Sequence, residues 1–160
     1  DYRSIMPTNL YGPGDNFHSE NSHVIPALIK RIHEAKEAGS SEVIAWGNGS
    51  ALREFLYVED MALASIFIMN LKSEKYLRST SAMSSHLNIG SGIEYSIEEL
   101  TQMISSVVGF SGKIVWDETK PDGVSRKLMD VSRVNDLGWS STVDLYEGLE
   151  KSYTWYLNNK

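Results

Sequence analysis

Apolar and polar positions along this chain follow two periods, and the changes between them mark its elements. Between residues 24 and 38, Ile25, Leu28, Ile29 and Ile32 share the i, i+3, i+4, i+7 face of a helix. Pro26 falls in its first turn, where a missing N–H costs nothing, and Gly39 is the stop. Ser96 and Glu99 have capping-box spacing ahead of a helix that points Ile97, Leu100, Ile104 and Val107 at a core and ends at Gly109. A short helix from Val131 to Leu137 stops at Gly138, and a last helix, about Leu145 to Leu157, buries Leu145, Leu149, Tyr153 and Tyr156. Met61 to Met69 is apolar almost all round, which predicts a helix buried between layers.

Shorter extended runs separate these helices: Asp1 to Met6, Glu42 to Trp46 before the Gly47-Asn48-Gly49 turn, Glu54 to Val58, Leu87 to Ile89 before Gly90-Ser91-Gly92, and Lys113 to Trp116. Strands alternating with helices predict the α/β class. Lys72 to Ser85 is a polar, serine-rich loop with room for a helical turn and no evident chemistry, and Thr119 to Ser125 is a loop bearing Pro and Gly. No repeat or linker divides the chain, so one domain is expected. The first strand opens the chain with no earlier element to pair with, whereas a parallel strand needs neighbours. The expectation is a piece of a longer protein whose unpaired edge, Arg3 to Leu10, and apolar 61–69 helix promote self-association.

The candidate chemistry gathers where the first strand ends. Met6-Pro7-Thr8-Asn9-Leu10-Tyr11-Gly12-Pro13-Gly14-Asp15-Asn16-Phe17-His18 carries a short apolar run into a turn and a polar loop, closed by Asn21-Ser22-His23-Val24-Ile25-Pro26. Strands of α/β proteins hand functional loops to ligands in this way. His23 sits at the amino terminus of the first helix, whose positive end favours a neutral ring able to exchange a proton. Arg31 follows two turns later, roughly 12 Å along the axis and within about 80° of the same face. It suits a diphosphate, or it is a solvated arginine beside Lys30. Trp46 and Arg53 flank Gly47 to Ser50: a tryptophan there covers a base or sugar ring and an arginine fork grips phosphate, or the pair is a core side chain and a salt bridge to Glu54. His86 and His18 read as structure or surface.

Composition narrows the classes. With 160 residues, 41% hydrophobic and 22% charged, the chain is long enough for one core and ordinary for a soluble protein. No apolar run approaches membrane-spanning length. A net charge of −6 argues against general nucleic-acid binding, while Arg31, Arg53, Arg126 and Lys127 leave room for a small anion. Having no cysteine excludes disulfides, thiolate metal sites and a cysteine nucleophile here, and fits a cytoplasmic setting.

The runs MPTNLYGPGDNFHSENSHVIPALIKR, AWGNGSALREFLYVEDMA, HLNIGSG and WDETKPDGVSRKLMDVSR together resemble the carboxyl-terminal half of the GDP-L-fucose synthases, members of the extended short-chain dehydrogenases. The similarity spans residues 1 to 160. It implies a substrate-binding part, with residues 1–12 as the last strand and turn of a Rossmann sheet and the amino-terminal NADP-binding half absent. The family converts GDP-4-keto-6-deoxy-D-mannose to GDP-L-fucose by epimerisation at two sugar carbons and hydride transfer from NADPH, and its full-length members are expected as homodimers. By resemblance, His23 is the epimerisation acid/base and a cofactor contact. Pro7, Thr8, Asn9 and Leu10 wall the nicotinamide end, and Arg31, Trp46, Arg53, Asp122 and Lys127 contact the GDP-sugar. Val124-Ser125 stands where Thr-Pro is expected, which loosens the loop before Lys127.

The sequence contains no glycine-rich G-x-x-G-x-x-G fingerprint, and its one Tyr-x-x-x-Lys spacing, Tyr156 to Lys160 at the end of the last helix, is not read as the pair that serves the hydride step in this superfamily, so these residues alone are expected to reduce nothing. Two other readings stand beside this one: another nucleotide-sugar epimerase or reductase of the superfamily, and a module that binds a nucleotide sugar or a protein without catalysis.

Overall fold

The computed structural model describes residues 1–18, 21–120 and 123–160. Its elements are β1 (Ser4–Pro7), β2 (Asn9–Tyr11), α1 (Val24–Glu37), β3 (Glu42–Trp46), β4 (Leu52–Tyr57), α2 (Val58–Asn70), α3 (Ser73–Arg78), β5 (His86–Ile89), β6 (Glu94–Ser96), α4 (Ile97–Val108), β7 (Lys113–Asp117), β8 (Arg126–Lys127), α5 (Ser132–Asp136) and α6 (Leu145–Asn159). The mixed α/β class is as expected, and α3 adds a short helix inside the serine-rich stretch.

The opening run is not an unpaired strand, which corrects the expectation for Arg3 to Leu10. It divides between two sheets. β1 pairs in parallel with β5, Ser4 to Pro7 opposite His86 to Ile89, with α2 in the crossover. Residues 1–12, expected as one strand and a turn, thus hold two strands, β1 and β2. β2 pairs in parallel with β4, Asn9 to Tyr11 opposite Phe55 to Tyr57. Thr8 is the junction: its N–H donates to Ile89 O at 3.0 Å and its hydroxyl to Glu54 O at 3.4 Å.

β4 organises the rest. β6 runs antiparallel along its first half, β8 joins in parallel at Leu52 and Arg53, and β3 pairs separately with β7. Side chains alternate across a strand, so β4 feeds two cores. Phe55 and Tyr57 enter a cluster with Tyr11, Ile29, Ile32, Leu100, Ile104 and Leu149, while Leu56 enters one with Ala64, Ile68, Leu87, Ile89 and Val134. The helices around the first cluster follow their periodicity. In α4 the capping box forms as its spacing predicts, with Ser96 Oγ accepting from Glu99 N–H and Glu99 accepting from Ser96 N–H.

α2 departs from expectation. Asp60, Ala64 and Ile68 are its buried residues, whereas Leu63, Ile66 and Met69 are 54%, 56% and 75% exposed. One face packs toward β2 and β4, and no described element covers the opposite stripe. The helix is apolar all round yet buried on one side. Its carboxyl end is capped by Arg3, whose guanidinium donates to Ile68 O and, at 2.7 Å, to Leu71 O.

Candidate functional site

β2 leads into the turn Gly12-Pro13-Gly14-Asp15, and beside that turn lies a cavity of about 720 Å³. Its lining comes from β2, the turn, the start of α1, the edge residue Trp46, β4 and Gly123. Arg53 and Val58 both line it five residues apart, which in extended backbone separates them by roughly 16 Å. At the far end the turn presses onto Val58: Gly12 has φ +151°, and a Cβ there would lie 2.6 Å from Val58 Cγ1. Volume and mixed lining suit a small organic ligand.

His23 is the N-cap residue of α1 and lines this cavity; it is exposed, and its side chain makes no capping bond. Thr8, Asn9 and Leu10 form the neighbouring wall. The Asn9 amide nitrogen is already engaged, donating to Glu54 O at 2.7 Å, and the Thr8 hydroxyl donates to the same oxygen. This wall therefore offers shape and backbone more than free donors, which fits packing against a flat ring. Pro7 sits in β1 opposite Ile89 and is not among the lining residues.

The other end is cationic. Trp46 is 58% exposed, so it is no core tryptophan, and the Arg31 guanidinium lies 5.0 Å from its ring centroid while donating to Ile44 O at 3.1 Å. Lys120 approaches the same ring at 5.7 Å. Arg31 thus reaches the site through Trp46 and is not a free solvated side chain. Arg53 donates to Leu52 O at 2.7 Å and forms no ion pair among the described residues. The salt bridge to Glu54 fails because alternation along β4 sends the two side chains to opposite faces. Lys127 stands opposite Arg53 in the β4–β8 register, and Gly123 is so close to the guanidinium that a Cβ there would lie 2.8 Å from Arg53 Nη2. Val124-Ser125 does not loosen the approach to Lys127: Ser125 O accepts from Leu52 N–H at 2.9 Å and β8 is docked. Asp122 lies outside the described residues. His86, in β5, and His18 do not line the cavity.

Three acidic residues were not singled out from sequence. Glu54 is fully buried; Oε1 accepts from Gly92 N–H at 2.7 Å and Oε2 from Met129 N–H at 3.0 Å. Gly90 is required beside it, since a Cβ there would collide with the carboxylate. Asp60 is 1% exposed and holds Thr142 N–H and Val143 N–H, each at 3.0 Å, and the Thr142 hydroxyl at 2.7 Å. Asp15 lines the cavity, and one of its carboxylate oxygens is buried with no hydrogen-bond partner among the described residues. Tyr11 also lines the cavity, but its buried hydroxyl is turned to α6, where it donates to Leu145 O at 3.4 Å, and its pKa is pushed above the usual phenol range by loss of solvent first and by Tyr57 second. A glutamate after arginine on a strand reads as exposed, so only the Gly90 and Gly92 partners reveal Glu54. Among the described residues no cluster of His, Cys, Asp or Glu fits a metal ion, and no helix is long and apolar enough to cross a membrane.

Comparison with known proteins places the chain among sugar-nucleotide enzymes by sequence and fold. GDP-L-fucose synthase of Escherichia coli (strain K12) is 53% identical over 160 residues, covering 100% of this chain and 50% of that protein. A crystal structure of a GDP-L-fucose synthetase from Naegleria fowleri bound to NADP superposes with a TM-score of 0.85 at 27% identity, covering 98% of this chain and 47% of the other. A GDP-6-OMe-4-keto-L-xylo-heptose reductase from C. jejuni gives 0.86 at 31% identity, over 99% and 54%. The chain spans about half the length of the relatives it matches. The profile of the NAD dependent epimerase/dehydratase family matches residues 1–90, more than half of the chain. The chain belongs to the NAD dependent epimerase/dehydratase family.

Proposed function

We propose that this chain is the substrate-binding half of an NADPH-dependent GDP-4-keto-6-deoxy-D-mannose epimerase/reductase that forms GDP-L-fucose. One observation carries the reading: a single cavity joins His23 and the Thr8–Leu10 wall to Trp46 and an Arg53 with no acidic partner among the described residues. The 53% identity to the Escherichia coli enzyme supports it.

Arg53 and Lys127 supply the charge for a diphosphate, and a guanidinium fork matches two phosphate oxygens. Trp46, held by Arg31, offers an exposed aromatic face to the base or ribose. Asp122 belongs to the loop proposed to close over the substrate. His23 gives and takes protons at the sugar carbons being epimerised. NADPH, when bound, supplies the hydride. Thr8, Asn9 and Leu10 pack against its nicotinamide end, to which Pro7 contributes only through the strand it anchors, and the glycine-rich grip on the cofactor phosphates belongs to a half this sequence does not contain. The chain by itself is proposed to bind and not to reduce. A cytoplasmic, homodimeric full-length enzyme completes the reading.

The C. jejuni reductase shares the fold and carries a GDP-heptose in its name, so a different nucleotide sugar is the second reading. A panel of nucleotide sugars, offered to a chimera of this chain with the complementary half of the Escherichia coli enzyme, separates the two. Turnover of GDP-4-keto-6-deoxy-D-mannose ahead of other GDP-, UDP- and dTDP-sugars is expected; preference for any other sugar overturns the choice.

A further inference from the structure

Asp15 holds an acceptor that no described residue uses. Its Oδ1 accepts from Asn16 N–H at 2.7 Å, while Oδ2 is shut off from solvent with no hydrogen-bond partner among the described residues. The backbone fixes the residue there: Asp15 N–H donates to Gly12 O at 3.3 Å, and Gly14 turns the chain with φ +81°. Buried polar atoms are nearly always paired, and an unpaired one costs its full desolvation. An exception on the wall of a ligand cavity points to a partner that the ligand brings.

The position says which part of the ligand. Asp15 belongs to the turn whose Gly12 presses on Val58, and Val58 follows Arg53 by roughly 16 Å of extended backbone. None of the ion pairs among the described residues involves Asp15. A carboxylate repels phosphate and accepts hydroxyl protons. The cavity therefore has an anion-seeking end at Arg53 and a donor-seeking end at Asp15, which matches a molecule with a diphosphate in one half and a neutral polyol in the other. We infer that Asp15 is a sugar-hydroxyl acceptor: its carboxylate turns to offer Oδ2, closed to solvent in the free chain, to an O–H of the hexose, and so sets the direction in which the GDP-sugar lies. The inference rests on the nucleotide-sugar reading above.

Such a residue trades stability for binding. Asp15→Asn keeps an oxygen for Asn16 N–H and replaces the stranded acceptor with an amide donor. The test is calorimetric titration of the chain and of Asp15→Asn with GDP and with GDP-mannose, together with thermal melts of both free proteins. GDP is expected to bind both alike. GDP-mannose should bind the unmodified chain about tenfold or more tighter than GDP, as one bond to a charged acceptor allows, and Asp15→Asn should lose that increment. The free variant should melt about 2–4 °C higher. Asp15→Ser, with a shorter side chain, should lose the increment as well. An increment that survives in either variant, or that the unmodified chain lacks, overturns the inference while leaving the GDP site standing. A lowered melting temperature in Asp15→Asn marks a structural carboxylate and overturns it too. Failure of the unmodified chain to bind GDP removes the nucleotide-sugar reading and this inference with it.

Discussion

Arg53 and Lys127 face each other across adjacent parallel strands, as register partners of β4 and β8, with no carboxylate between them among the described residues. Like charges opposite one another on neighbouring strands are unfavourable by a few tenths of a kcal/mol. The next cation, Arg126, is neutralised by Glu94 at 2.8 Å, so the chain can pair a charge here and does not. Lys127→Ala should leave the free chain as stable or slightly more so in urea unfolding, yet weaken GDP binding at least several-fold, with the loss shrinking at high salt. A clear drop in stability without a change in affinity would make Lys127 a strand residue only.

His23 should divide binding from chemistry. In the chimera with the complementary half of the Escherichia coli enzyme, His23→Asn is expected to cut solvent-deuterium incorporation into the sugar by about 10²–10⁴-fold while GDP affinity stays within about twofold. Undiminished exchange would place the acid/base elsewhere.

Glu54 carries the architecture around Arg53. Glu54→Ala leaves two part-buried hydrogen bonds unmade, from Gly92 N–H and Met129 N–H, on segments that converge on β4. A loss on the order of 2–4 kcal/mol in denaturant unfolding follows. A change below about 0.5 kcal/mol would show that the strands hold without it.

His33 makes stability depend on pH. It is 4% exposed, with Nδ1 3.0 Å from the Tyr153 hydroxyl and Nε2 2.7 Å from Lys160 Nζ. Burial first, and Lys160 second, hold its pKa below the usual histidine value. The folded state then binds a proton less readily than the unfolded one. Its contribution is complete above about pH 6.5 and is lost as pH falls from there through the lower folded value. Melting temperature should decline between pH 7.5 and 5.5, a window above the carboxylates Glu99, Asp117 and Asp130, which are also held low by hydrogen bonds from Ser96, Thr119 and Ser132. His33→Gln should flatten the decline; an unchanged slope would exclude His33 as its source.

The exposed stripe of α2 predicts association. Leu63, Ile66 and Met69 present adjoining apolar surface on the helix. Sedimentation of the isolated chain should show mass rising with concentration, and Leu63→Glu with Ile66→Glu should return it to a monomer. A monomer at every concentration in the unmodified chain would contradict this.

Helices with one apolar stripe and clear caps were legible from sequence, because α1 and α4 settle their own ends through Gly39, Ser96, Glu99 and Gly109. Where partners come from far along the chain, sequence was silent. The run Arg3 to Leu10 reads as one strand; only Ile89 and Glu54, both distant, break it at Thr8. α2 is apolar on every face, so its periodicity could not say which face is covered. Residue type singled out His23, Trp46 and Arg53, and the structure brings all three to one cavity. Glu54, Asp60 and Asp15 were missed since a carboxylate reads as solvent-facing until its donors, or their absence, are seen.

The proposed function turns on an anion site at Arg53. Calorimetric titration of the purified 160-residue chain with GDP, run in parallel on Arg53→Ala, decides it. Saturable 1:1 binding that weakens about tenfold or more in the variant is the predicted result. Equal affinity in the two proteins would contradict it.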